Sequence, residues 1–318
     1  MLRYVVRRLL LTIPTLFLVA TIVFLLLRLV PGDMVDTVMA RLAVLGGTVD
    51  RAALERAFGL DAPLHVQYVR WWGDLLLRGS LGISMNSGQP VVPLILGRLP
   101  VTIELGLLAI AVSVAIGLPV GIYSALRQDT VGDYAGRSLA ILFVAAPSFW
   151  VATLVILYAS LWWGWSPPLE LVPLARDPIG NLRMFILPAF ILGMVMAGTT
   201  MRMTRTMMLE VLRQDFIRTA YAKGLRERLV VVGHALKNAL IPVVTIVGAD
   251  LTVLIGGAVI IESIFALPGT GRLMVDALKV RDYALVSGVN LVFAVAVVGA
   301  NLLVDLSYAF LDPRVRYR

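Results

Sequence analysis

Six stretches of this chain read as helices that cross a bilayer, which takes about 20 residues at a rise of about 1.5 Å each, the fourth being the shortest. They lie at about 9–30, 102–126, 138–163, 185–200, 241–261 and 284–311. In hydrocarbon every backbone N–H and C=O needs an internal partner, so runs of this length become helices. The expected fold class is all-α: a polytopic membrane protein with six transmembrane helices in a single membrane domain, 1–318. Composition agrees, because an apolar fraction of 59% and a mean hydropathy of +0.89 exceed what a soluble domain carries.

The intervals between the runs set the expected topology. Arg3, Arg7 and Arg8 precede the first run, which is too long for a typical signal core and is followed by Val30-Pro31-Gly32-Asp33 rather than a small-x-small cleavage site. An uncleaved first span is favoured over a signal peptide. The interval 31–100 mixes acidic and basic residues, with helical patterning around Arg51 to Phe58 and Val66 to Leu77. It reads as an outer segment of short amphipathic helices, with Trp71 and Trp72 placed for the membrane interface. Lys and Arg gather in the N-terminus, the loop at Arg127, the interval 201–240 and the tail with Arg314, Arg316 and Arg318. The positive-inside rule puts both termini in the cytoplasm, and the formal charge of +8 then reports orientation rather than nucleic-acid binding. Pro14, Pro119, Pro147 and Pro188 fall within spans, where each removes a backbone donor and can kink the helix.

Several function classes are excluded. The chain has no cysteine and only two histidines, His65 and His234, so thiol chemistry and a histidine-based metal centre are not expected. It has no G-x-x-x-x-G-K-[ST] phosphate loop, so any ATP that drives it must be hydrolysed on another chain. No G-x-S-x-G or H-E-x-x-H sequence suggests an intramembrane enzyme.

The interval 201–240 holds the densest run of basic residues, and its centre is Asp215-Phe216-Ile217-Arg218-Thr219-Ala220-Tyr221-Ala222-Lys223-Gly224-Leu225. Helix formers run up to Lys223, which suits the C-terminal dipole, and Gly224 can supply the left-handed residue that ends a helix. The pattern predicts a short helix with Phe216, Ala220, Ala222 and Leu225 as one smooth face, and Arg213, Arg218, Arg226 and Arg228 in water. Either a docking helix or an ordinary amphipathic loop fits these residues.

In span five, Asp250 sits near mid-membrane, where a carboxylate needs a partner or a wet cavity. It is read either as a pathway residue that meets a substrate amine or as a polar contact between helices. Glu104, Asn290, Asn301 and Asp305 lie nearer span ends and are assigned structural roles, and Gly256-Gly257-Ala258 is a packing signal.

The run Ala220-x-Ala222-Lys223-Gly224-Leu225 followed by Asn238-x-Leu240-Ile241-Pro242 resembles the EAA loop of permease subunits of ATP-binding-cassette (ABC) importers, in the form of the dipeptide, oligopeptide and nickel branch. Arg218-Thr219-Ala220 stands where the general pattern has Glu-Ala-Ala, a departure shared by that branch. Glu262-x-x-Phe265-x-x-Pro268-Gly269-x-Gly271, Gly59-Leu60-Asp61-x-Pro63, Asn301-x-x-x-Asp305 and Leu311-Asp312-Pro313 also resemble the family, so the likeness covers nearly the whole chain.

The resemblance implies the type I importer architecture and a non-catalytic half-pore in a bacterial or archaeal inner membrane. It implies a second, similar permease, two ATPase subunits carrying ATP and Mg, no cofactor on this chain, and an external substrate-binding protein. The ATPase-coupling residues it implies are Asp215, Phe216, Arg218, Thr219, Ala220, Ala222, Lys223, Gly224 and Leu225; for the pathway it points to Glu262 and Phe265 beside Asp250. Peptides are the expected substrate, with nickel chelates, opines or oligosaccharides as alternatives within the family. Two readings from other classes stand beside it: an ion-coupled carrier acting alone through Asp250, and a membrane assembly factor.

Overall fold

A computed structural model describes residues 2–29, 35–36, 38–39, 43, 50–57, 59–168 and 170–311. The Val30-Pro31-Gly32-Asp33 run, Phe58, the Asp312-Pro313 ending, the arginines of the tail and the side chains of Arg3, Arg7, Arg8 and Asp305 lie outside what is described. Eleven named helices organise the described residues: α1 Leu2–Leu29, α2 Arg51–Ala57, α3 Leu64–Arg78, α4 Val91–Leu126, α5 Val131–Ala145, α6 Ser148–Trp163, α7 Pro178–Leu212, α8 Asp215–Ala222, α9 Lys237–Ile264, α10 Thr270–Lys279 and α11 Tyr283–Leu311. Between α8 and α9 a helical turn, Glu227–Leu229, runs into a π-helical segment, Val230–Leu236.

By length and composition, α4, α7, the helix running from Glu227 into α9, and α11 are each long and apolar enough to cross a membrane. The pair α5 and α6 qualifies as a fifth span bent by 92°, and α1 holds a shorter apolar stretch, Leu10–Leu26. These are the six apolar runs of the sequence.

Two of them differ in shape from the straight spans expected. Span three breaks because Pro147 cannot donate to the helix and forces Ala146 into extended backbone (φ −80°, ψ 116°). Span four, expected over 185–200, belongs to a 35-residue helix. Asp177 caps its start by accepting from Gly180 N at 2.9 Å, Pro178 occupies the first turn, and Met, Leu, Arg and Glu carry the helix past Thr200 because they are good helix formers even where they are polar. The central loop therefore begins at Arg213 rather than Met201. Likewise α4 starts at Val91, inside the interval read as outer segment.

The described residues divide into two compact units. The first is built on Ile103–Leu267, and in it α7 packs against α9 and α5. Its helices approach closely at glycines: a methyl placed on Gly117 would fall 2.6 Å from Thr200 Cγ2, and one on Gly121 would fall 2.6 Å from Thr204 Cβ. Small residues at four-residue spacing serve this purpose in membrane interfaces. Of the Gly256-Gly257-Ala258 run, Gly257 meets Leu192 and Ala258 is buried, whereas Gly256 faces open space.

The second unit comprises Val6–Thr102 and Pro268–Val298. Its core gathers Leu81, Val91, Ile95, Ala277, Leu285, Val286 and Val289. Here Trp71 and Trp72 turn towards α1: Trp72 stacks on Phe17 at 5.0 Å, and Trp71 and Tyr68 close on Phe24 at 5.6 and 5.2 Å. The outer face of the same amphipathic helix leaves Val69, Leu76 and Leu77 exposed.

Candidate functional site

The short helix expected in the central loop is α8, and its ends are set locally. Asp215 stands in the first turn, where a carboxylate favours the dipole, and Thr219 Oγ1 donates to Asp215 O at 2.9 Å. At the other end Gly224 takes φ +77°. Its N–H bonds Tyr221 O at 2.9 Å and that of Leu225 bonds Ala220 O at 3.4 Å, the pair of bonds that closes a Schellman turn. Glycine, lacking a Cβ, takes that backbone at no steric cost, so Gly224 is where the helix stops.

One face of α8 is built into the chain's own core. Ile217 is 1% exposed and Ala220 is buried with it, packed among Ala125 at the end of α4, Met208 of α7, Val230, Val231 and Ala235 of the π-helical segment, and Ala239 of α9. Leu225 packs against the same cluster. This corrects the expected apolar face: Ala220 and Leu225 point inward with Ile217, while Phe216, Ala222, Lys223 and Gly224 are exposed together with Asp215, Arg218 and Thr219. Phe216, the most apolar residue of the expected face, is 45% exposed. The outward surface thus presents the rings of Phe216 and Tyr221 among charged and small groups, and on it Arg218 pairs with Asp215 at 3.4 Å between two solvent-exposed side chains.

The π-helical segment follows the same cluster. Pro242 inside α9 has no N–H to give to the carbonyl four residues earlier, and Asn238 Nδ2 donates to His234 O at 2.7 Å. A wide turn at this position joins α8 to a span through residues that are mostly apolar.

A second feature, between α5 and α7, escaped the sequence. Arg205 of α7 donates from Nε and Nη2 to the two oxygens of Asp133, at 2.7 Å each. Asp133 is fully buried, and it also accepts from Asp129 N at 3.0 Å. The available signal was Thr130-x-x-Asp133, the spacing of a helix-start box; Thr130 Oγ1 accepts from Asp133 N at 3.4 Å. The partner, 72 positions along the chain, left no local trace.

The expected pathway residues separate. Asp250 is half-buried on α9 and accepts from Thr199 Oγ1 of α7 at 3.3 Å; the next residue, Thr200, bonds Ser113 of α4 at 3.2 Å. Glu262 and Phe265 are enclosed, at 0% and 2% exposure, and lie at and just past the end of α9.

Comparisons with known proteins fit this arrangement. Residues 117–317 match the family model described as "Binding-protein-dependent transport system inner membrane component", and residues 1–106 match the model of its N-terminal part. A Brucella abortus protein named for a peptide transport system permease is 44% identical over 313 residues, covering 98% of both chains. The dipeptide transport system permease protein DppB of Escherichia coli K12 is 38% identical over 343 residues, covering 100% of both. A chain of the MetNI methionine ABC transporter, solved in inward-facing conformations, aligns with a TM-score of 0.53 at 17% identity over 70% of this chain and 97% of that one, a likeness that concerns the fold alone.

Proposed function

This chain belongs to the family of binding-protein-dependent transport system inner membrane components, and on that premise we propose that it imports peptides as one half of an ATP-driven pore, with α8 as the helix through which the motor acts. Family membership makes it a non-catalytic, membrane-spanning transport subunit, and sets aside the solitary carrier and the assembly factor. The peptide assignment is supported by full-length relatives at 38–44% identity that are named for peptide and dipeptide transport. The partners in this reading are a second permease, two ATPase subunits carrying ATP and Mg, and an external binding protein. Both termini and α8 face the cytoplasm, as the Lys and Arg distribution suggests.

The observation that carries the reading is the two-faced packing of α8. Its outer residues, Phe216 and Lys223 among them, are open to a partner, while Ile217 and Ala220 are seated in a cluster to which α4, α7 and α9 all contribute. A push on α8 is therefore delivered to three spans at once, because a close-packed core transmits displacement rather than absorbing it. The bent α5–α6 pair and the prolines in α7 and α9 supply places where spans can pivot. Asp250, paired with Thr199 between two of the moved helices, is the proposed pathway residue. Glu262 and Phe265 join the pathway only in a state that opens the end of α9.

Gly224 gives the test. A Cβ there meets nothing of this chain within 4 Å, and Gly224 is exposed, so a bulky group there is expected to face the partner. In the assembled complex, Gly224→Trp is expected to abolish uptake while ATP hydrolysis and membrane insertion persist. Gly224→Asn, which tolerates the left-handed backbone and adds little bulk, is expected to retain most of the transport. Normal uptake by the Trp variant overturns the role of α8.

A further inference from the structure

The second unit holds a cavity of about 500 Å³ between the end of α1, α3, the loop before α4 and the first turn of α11, a size typical of small-ligand pockets. Arg28 lines it. Its guanidinium lies 3.5 Å above the ring of Phe24, donates from Nε to Gln67 Oε1 at 3.0 Å and from Nη1 to Phe24 O at 3.3 Å. The clamp is itself fixed: the Gln67 amide nitrogen donates to the carbonyls of Leu60 and Ala62 at 3.2 and 2.8 Å, which turns its oxygen towards Arg28. Phe24 is fully buried beneath. Among the described residues no carboxylate pairs with this arginine.

A half-buried cation held by neutral groups is expensive to keep without a counter-ion. Here an aromatic floor and a fixed amide hold it in one orientation, with donor edges to spare, since a guanidinium has five N–H groups and the two bonds use two. That fork fits a carboxylate in a bidentate manner. The same cavity is lined by Asp74, whose partner is Arg78 at 2.9 Å on an exposed turn. Exposed pairs of this kind are worth little and exchange readily, so Asp74 is available to an ammonium. Trp71 adds an apolar wall.

We propose that this cavity is a binding site for a small zwitterion, with its carboxylate on Arg28 and its ammonium towards Asp74. The identity of that zwitterion as a short peptide rests on the importer reading above; the carboxylate recognition does not. The residues of this site belong to the second unit, and α8 and Asp250 to the first.

The test is equilibrium binding of radiolabelled trialanine and of its C-terminal amide to the full chain in lipid nanodiscs, with no ATPase or binding protein present. The acid is expected to bind at least tenfold more tightly than the amide. Arg28→Gln is expected to remove that preference, and Arg28→Lys to restore part of it. Equal binding of acid and amide, no binding of the acid by the unaltered chain, or an Arg28→Gln chain that keeps the preference overturns the proposal. The acid and amide comparison uses the unaltered chain, so it stands even where a variant folds poorly. A negative result leaves the Gly224 experiment unaffected, which separates failure of this site from failure of the importer reading.

Discussion

Arg205 and Asp133 tie α7 to the start of α5 by two parallel hydrogen bonds of 2.7 Å, with the carboxylate fully buried. The pair sits two turns before the end of α7, the helix that leads directly into α8, so it fixes the direction from which α8 leaves the bundle. Breaking a buried pair by removing one partner strands the other charge and costs about 3–5 kcal/mol, whereas replacing both by apolar groups of similar volume is close to neutral. Asp133→Ala is therefore expected to lower the thermal midpoint of the purified chain far more than the double change Asp133→Leu with Arg205→Met. A double variant as unstable as the single one sinks this account.

The close approach of α4 to α7 leads to a second expectation. A β-carbon at Gly121 would stand 2.6 Å from Thr204 Cβ and 2.8 Å from the backbone oxygen of Met201. A backbone atom cannot swing aside, so the helices must separate. Gly121→Val is expected to destabilise by about 1–3 kcal/mol, the usual penalty of overpacking, whereas Gly256→Ala, with nothing within 4 Å, is expected to leave the midpoint unchanged or slightly raised. Thermal unfolding of the two variants side by side decides the matter.

On α8, stability and coupling reside on opposite faces and are separable. Ile217→Ala empties a site that is 1% exposed and is expected to cost about 2–5 kcal/mol. Phe216→Ala alters a half-exposed ring and is expected to change stability by no more than about 0.5 kcal/mol. In the assembled transporter Phe216→Ala is nonetheless expected to reduce substrate-stimulated ATP turnover and uptake together. A Phe216→Ala complex with unaltered uptake removes Phe216 from the docking surface.

Much of this was legible from residue order alone. The apolar runs gave the spans because lipid offers the backbone no alternative partner, and the limits of α8 followed from Gly224 and the placement of charge at its ends. What hydropathy hid was helix length: Arg202, Arg205 and Glu210 leave the apolar stretch but remain on α7, since helix propensity and membrane solubility are different properties. The orientation of α8 was hidden for another reason. Phe216 is more apolar than Ala220, yet the space beneath α8 is shaped by Met208, Val230 and Ala235 and admits Ile217 and a small Ala220. The Asp133 and Arg205 pair and the clamp of Gln67 on Arg28 depend on residues far apart in the chain, and no local spacing records them.

The second unit offers the last expectation. Asp282 is fully buried, just before α11; its Oδ1 accepts from Leu285 N at 3.2 Å, and its Oδ2 accepts from Ser84 Oγ at 2.5 Å and Asn86 N at 3.3 Å. One carboxylate thus caps a helix and pins the loop that precedes α4, 198 positions away in sequence. Loss of a helix cap costs about 1 kcal/mol, and bonds to a charged acceptor contribute about 1.5–3 kcal/mol. Asp282→Ala is therefore expected to destabilise by about 3 kcal/mol, with the damage concentrated locally. Amide hydrogen exchange should show it: Leu285 and Asn86 are expected to lose protection in the variant, while Ile217 and Ala220 in the other unit keep theirs. Uniform loss across both units would mean that Asp282 supports the whole chain rather than this one junction.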